Sequence, residues 1–121
     1  MRRLTRLALG GALLLAMHDG ALAHAVLRKA APPVGGTVTA APAEVEVTFS
    51  QAVEPRFSTI VVTDAAGHRV DKADVHAVAG DATRIAVTLE TLPPGDYKVV
   101  WQATSRDTHK TDGQFTFSVR R

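Results

Sequence analysis

The chain has 121 residues, 14 basic and 12 acidic side chains and no cysteine, which excludes a disulfide framework and any thiolate metal site. Three of the arginines and one aspartate fall in the first 23 residues, so the remaining 98 carry 11 basic and 11 acidic side chains. A neutral chain of that size has room for one modest core and not two, and it lacks the basic stripe that a nucleic-acid partner needs.

Read from the start, Met1-Arg2-Arg3-Leu4-Thr5-Arg6 is basic and an apolar run follows from Leu7 to Met17, too short to anchor in a bilayer. His18, Asp19 and Gly20 then lead to Ala21-Leu22-Ala23, with small residues where a signal peptidase reads, so residues 1–23 are predicted to be a secretory signal and 24–121 the mature domain. Arg2-Arg3 hints at twin-arginine export, but the rest of that motif is missing. Cleavage after Ala23 makes His24 a new amino terminus.

Beyond the signal, apolar and polar residues alternate in short runs, the period of half-buried strands. His24–Lys29 is predicted as a short first strand. Val45, Val47 and Phe49 mark the next, and Phe57–Thr63, β-branched on both faces, is predicted to sit well inside a sheet. Arg69-Val70 reads as a minor strand, Ile85, Val87 and Leu89 mark another, Tyr97, Val99, Trp101 and Ala103 line one side of Asp96–Thr104, and Phe115, Phe117 and Val119 close the chain. Turn chemistry at Pro32–Gly36, Ala41-Pro42, Asp64–Gly67, Ala79–Asp81, Pro93–Gly95 and Asp112-Gly113 separates them. The expected fold is all-β, a Greek-key sandwich of about seven strands. Six aromatics in all suffice to furnish its core and leave little for a carbohydrate-stacking surface.

The chemistry lies at the two ends. A terminal His24 offers an α-amine and an imidazole Nδ1 that close a six-membered ring on one metal ion. Asp107 and His109 are two positions apart, so in extended backbone their side chains project the same way and add an oxygen and a third nitrogen. A flat set of three nitrogens and one oxygen, a histidine brace with a carboxylate, suits one Cu(II) ion, whereas zinc prefers a tetrahedron. The amine must lose its proton to bind, so affinity is expected to rise with pH. Asp74-Val75-His76 repeats the spacing and could form a weak second site with His68, but the charge-rich surroundings favour a solvated loop.

These residues carry a resemblance. His24-Ala25-Val26-Leu27, Ala31-Pro32-Pro33-Val34-Gly35-Gly36, Val47 to Glu54, Phe57-Ser58, Leu92 to Tyr97, Val100-Trp101 and Ser105 to His109 through Gly113 resemble, in order and over nearly all of the mature chain, the CopC family of periplasmic copper-resistance proteins. The resemblance implies a cupredoxin-like or immunoglobulin-like β-barrel that binds Cu(II) through the amine and side chain of His24 with Asp107 and His109. It also implies a periplasmic carrier or buffer working beside an inner-membrane copper importer of the CopD type. Two departures stand out. Members with a second, Cu(I) site use a methionine-rich loop, and this chain has no methionine after Met17. Where the family commonly has Phe-Ser-Glu, this chain has Phe49-Ser50-Gln51, so Gln51 can at most orient a ligand or a water.

Three functions follow for comparison. A copper carrier without turnover fits a site whose equatorial plane is filled. A copper oxygenase also uses a terminal histidine, but needs an open equatorial position and a broad substrate face. A metal-free adhesion or assembly domain would leave His24 an ordinary terminus. The first is the expectation, with a monomer the simplest state for a small neutral sandwich.

Overall fold

Alternating burial is what folds this chain. In Glu44–Phe49 the residues Val45, Val47 and Phe49 are buried while their neighbours reach outward, and Tyr97, Val99, Trp101 and Ala103 do the same along Gly95–Thr104. Each such strand has one apolar face, so two sheets must close on each other to bury them. The computed structural model describes residues 25–121; the predicted signal, residues 1–23, and the predicted terminus His24 lie outside the described residues.

Among the described residues eight strands are formed: β1 Leu27–Ala31, β2 Thr37–Val38, β3 Glu44–Phe49, β4 Thr59–Asp64, β5 His76–Val78, β6 Asp81–Thr88, β7 Gly95–Thr104 and β8 Lys110–Val119. One sheet has the order β1-β3-β6-β5 and the other β2-β8-β7-β4, with β2 parallel to β8 and the other pairs antiparallel. This is the strand order of an immunoglobulin sandwich. The corner before β7 is tied as in that fold: the Tyr97 hydroxyl donates to the Pro93 carbonyl four residues upstream. Between the sheets Val45, Val47, Ile60, Val62, Ile85, Val87, Leu92, Val99, Phe117 and Val119 are buried. Phe49 meets Trp101 edge to face at 5.1 Å, and Tyr97 stacks on Phe117 at 5.4 Å.

The all-β expectation holds, and four local readings need correction. The first strand begins at Leu27 rather than His24, among the described residues. Phe57 belongs to a 3-10 turn, Pro55–Phe57, and is 60% exposed under the Arg56 guanidinium, while the strand starts at Thr59. That strand, β4, is an edge and not an interior strand. Its outer side is covered by the Arg69–Asp71 segment instead: Val70 N–H donates to the Val62 carbonyl at 2.8 Å, and Val62 N–H donates to Asp71 Oδ1 at 2.8 Å. The β-branched residues on both faces thus reflect a covered edge. His76 lies in β5, not in a loop.

The fourth correction concerns Asp112-Gly113, which is no turn. Both residues sit inside β8, opposite Gln102 and Trp101. Glycine is required there by close approach: a Cβ at position 113 would lie 2.7 Å from Trp101 Cζ2 and 3.0 Å from Cε2. The indole is buried against Phe49 and has little space to retreat. Gly113→Ala is therefore expected to destabilise by about 1–3 kcal/mol, the usual range for overpacking, lowering the Tm by roughly 5–20 °C. A thermal melt followed by the fluorescence of Trp101, the single tryptophan, measures this, and an unchanged Tm would mean that the ring can move aside.

Candidate metal site

The connection from β7 to β8 is short because the strands it joins pair to their ends, Thr104 opposite Lys110. Its backbone is closed by Ser105 N–H donating to the His109 carbonyl at 2.9 Å and Thr108 N–H donating to the Ser105 carbonyl at 2.9 Å. Thr108 takes φ +73°, a left-handed conformation unusual for a β-branched residue. Asp107 and His109 therefore converge through a tight turn and not, as extended spacing suggests, through alternation along a strand. Asp107 Oδ2 and His109 Nδ1 lie 3.3 Å apart, both side chains about half exposed. Two donors held about 2.0–2.1 Å from one metal ion and at right angles are separated by about 2.9 Å, so this pair needs only a small adjustment to share an ion.

The Asp107 carboxylate is held in its charged form. The Ser105 hydroxyl donates to Asp107 Oδ1, and this bond holds the Asp107 carboxyl below the usual carboxylate range, with a further contribution from the His109 ring beside it. Asp107 is thus ionised at neutral pH and has no proton to lose on binding. Ser105 itself is fully buried and also reaches the His109 carbonyl at 3.2 Å. The role of Ser105 was not legible in advance, since a serine beside an Asp-x-His pattern is commonplace.

The turn is backed by residues 50–58. Val53 bridges Ser105, Glu54 N–H donates to the Thr104 carbonyl at 2.8 Å, and Arg106 N–H donates to the Ala52 carbonyl at 3.3 Å. The Thr104 hydroxyl donates to the Phe57 carbonyl at 2.7 Å, and the Ser58 hydroxyl, itself donating to the Glu54 carbonyl, accepts Thr104 N–H at 3.1 Å. Gln51 is half-buried in this same segment, between Ser50 and Ala52. The first described residues come to the same place. Ala25 is buried, its carbonyl accepts the Thr111 hydroxyl at 2.8 Å, and Val26 exchanges bonds with Ser50, donating to its Oγ at 2.9 Å and accepting from its N–H at 2.8 Å.

The structure thus brings Asp107 and His109 together and sets the chain at Ala25 against the strand that follows them, while His24 lies outside the described residues. Among the described residues no group of three or more His, Cys, Asp or Glu side chains could hold a metal ion, which leaves the Asp107–His109 pair as a candidate half-site. His68 and His76 do not join it. His68 sits over Asp64 at 3.7 Å, on the turn after β4, whose end pairs with the start of β7 and hence lies at the opposite pole. His76 faces Glu44 at 3.6 Å and contacts the Asp74 carbonyl at 2.8 Å. The Asp74 carboxylate is engaged elsewhere, accepting Thr88 N–H at 2.8 Å, so no second site assembles from Asp74, His76 and His68.

Comparison with known proteins gives the relatives of the whole domain. Residues 27–120 match the family described as the CopC domain. Copper resistance protein C of Escherichia coli is 31% identical, over 99% of this chain and all of the relative. The crystal structure of CopC from Methylosinus trichosporium OB3b superposes with a TM-score of 0.74 at 29% identity, covering 79% of this chain and 93% of that one. That of PcoC, a methionine-rich copper resistance protein from Escherichia coli, does so with a TM-score of 0.73 at 32% identity, covering 81% of this chain and 100% of that one.

Proposed function

This chain belongs to the CopC family, and we propose that it is a periplasmic Cu(II) carrier or buffer, binding one ion through His24, Asp107 and His109 without turnover. The observation that carries the reading is the Asp107–His109 pair at 3.3 Å on a hairpin to which the chain is tethered at Ala25. Consecutive Cα atoms are about 3.8 Å apart, so a tether at Ala25 limits how far its preceding residue can stray. If cleavage follows Ala23, that residue contributes a terminal amine and an imidazole to the half-site.

The donor set supports Cu(II). Two imidazoles, an amine and a carboxylate form a nitrogen and oxygen plane, and for such sites copper stands at the top of the divalent affinity order. Soft sulfur, which would favour Cu(I), is missing from residues 24–121, in contrast to the methionine-rich relative. A plane filled by protein donors leaves little place for a substrate, which favours carriage over catalysis. The same reading makes the protein a monomer that passes copper to or from an inner-membrane importer of the CopD type.

The test is an electron paramagnetic resonance titration with Cu(II) of the secreted protein and of a version with one residue added before His24. One equivalent should give an axial, nitrogen-rich signal that the extension abolishes, because the amine then becomes an amide. Identical signals from the two proteins would remove the amine from the site and with it this reading.

A further inference from the structure

We infer that Thr111 is a positioning residue for the metal site, acting through the main chain at Ala25; this rests on the copper reading above. The Thr111 hydroxyl donates to the Ala25 carbonyl at 2.8 Å across 86 residues of sequence. Thr111 lies two positions beyond His109 on β8, in register with Ala103 of the central strand β7. One hydroxyl therefore locks the start of the domain to the strand that issues from the ligand turn. Ala25 is 1% exposed and belongs to the core cluster, so its carbonyl is held in a place where water competes poorly.

The second latch, Val26 with Ser50, fixes the chain one residue further on. Its two bonds position β1 against the end of β3, and because Val26 N–H and the Ala25 carbonyl share one planar peptide, the Ser50 and Thr111 bonds hold that peptide from its two edges. The Thr111 bond acts on the Ala25 carbonyl, one residue after the proposed chelate. A chelating terminus gains affinity when its conformations are restricted before the ion arrives, because that ordering is then not charged to binding. Metal ligation itself requires no hydroxyl at position 111. Its geometry is explained by pre-organisation of the terminus.

The test compares wild type, Thr111→Val, which keeps the shape and removes the hydroxyl, and Thr111→Ser, which restores it. Each is made with the native terminus and with one residue added before His24, and Cu(II) affinity is measured by competition with a chelating dye alongside the paramagnetic signal. With the native terminus, Thr111→Val should weaken Cu(II) binding roughly tenfold, the effect of one hydrogen bond, and Thr111→Ser should recover it. In the extended proteins, where the amine is blocked, the same substitution should change the residual affinity by less than about twofold, the non-additivity expected of groups acting through one another. Equal affinities for Thr111→Val and wild type, or an equal loss with and without the extension, would overturn the proposal. Failure of the copper reading is separable, since it appears as an insensitivity of wild type itself to the extension.

Discussion

His109→Ala is expected to lower Cu(II) affinity by at least about 100-fold while moving the Tm of the metal-free protein by no more than a few degrees. Removing a group that only orients a ligand already costs 10–100-fold in many metal sites, so loss of a ligand should reach the upper end of that range or exceed it. Stability should be spared because the His109 carbonyl, which accepts Ser105 N–H and helps close the turn, is kept by alanine. Its side chain is about half exposed and leaves no core cavity. Asp107→Asn is a useful companion: the amide oxygen can still accept from Ser105, but it is a neutral and poorer donor to a cation. A dye-competition titration reads both, and an unchanged affinity in His109→Ala would sink the assignment.

Asp71→Ala should produce the largest loss of stability, about 2–3 kcal/mol, or roughly 10–20 °C in Tm for a domain of this size. The Asp71 side chain is fully buried and replaces the missing neighbour of edge strand β4. Oδ1 accepts Val62 N–H at 2.8 Å and Arg69 Nε at 2.9 Å, while Oδ2 accepts Arg69 Nη2 at 2.8 Å and Ala73 N–H at 3.0 Å. Alanine would leave the buried Val62 N–H without an acceptor and free the edge it closes. Urea denaturation at pH 7 measures the loss.

The same carboxylate gives a pH signature. Burial acts to raise the Asp71 pKa, but the bonds from Arg69 and from the Val62 and Ala73 amides outweigh it and hold the group below its ordinary value. A depressed carboxylate stabilises the fold fully above the unfolded value of about 3.9, and its contribution is lost as pH falls through the lower native value. The stability gap between wild type and Asp71→Ala should accordingly be constant from pH 7 to about 5 and narrow below pH 4. A gap that widened on acidification would show that Asp71 is not held ionised by these partners.

Both predictions bear on where this fold keeps its polar groups. Asp71 closes the edge strand β4 by accepting the Val62 and Ala73 amides and the Arg69 guanidinium, and Ser105 closes the 105–109 turn through the His109 carbonyl and the Asp107 carboxylate. The buried Ser105 thus ties down the turn that holds Asp107 and His109 through both its amide and its hydroxyl.

The main strands were legible from alternation alone, because Val45-Val47-Phe49, Tyr97-Val99-Trp101-Ala103 and Phe115-Phe117-Val119 can bury a common face in one way only. Asp107 and His109 could likewise be picked out as candidate donors from residue type, although a tight turn and not extended spacing brings them together. Other features depend on contacts between distant residues, which no local pattern encodes. Gly113 looks like a turn until the Trp101 ring is placed over it, and Phe57–Thr63 looks like an interior strand until the Arg69–Asp71 segment is seen to cover β4. The two-residue β2 and three-residue β5 are too short to show a period, and exist because longer strands offer them partners. Residue chemistry thus names the candidate donors, while the bond from Thr111 to Ala25, 86 residues away, is a product of chain closure, and together with the Val26–Ser50 pair it holds the first described residues beside the 105–109 turn.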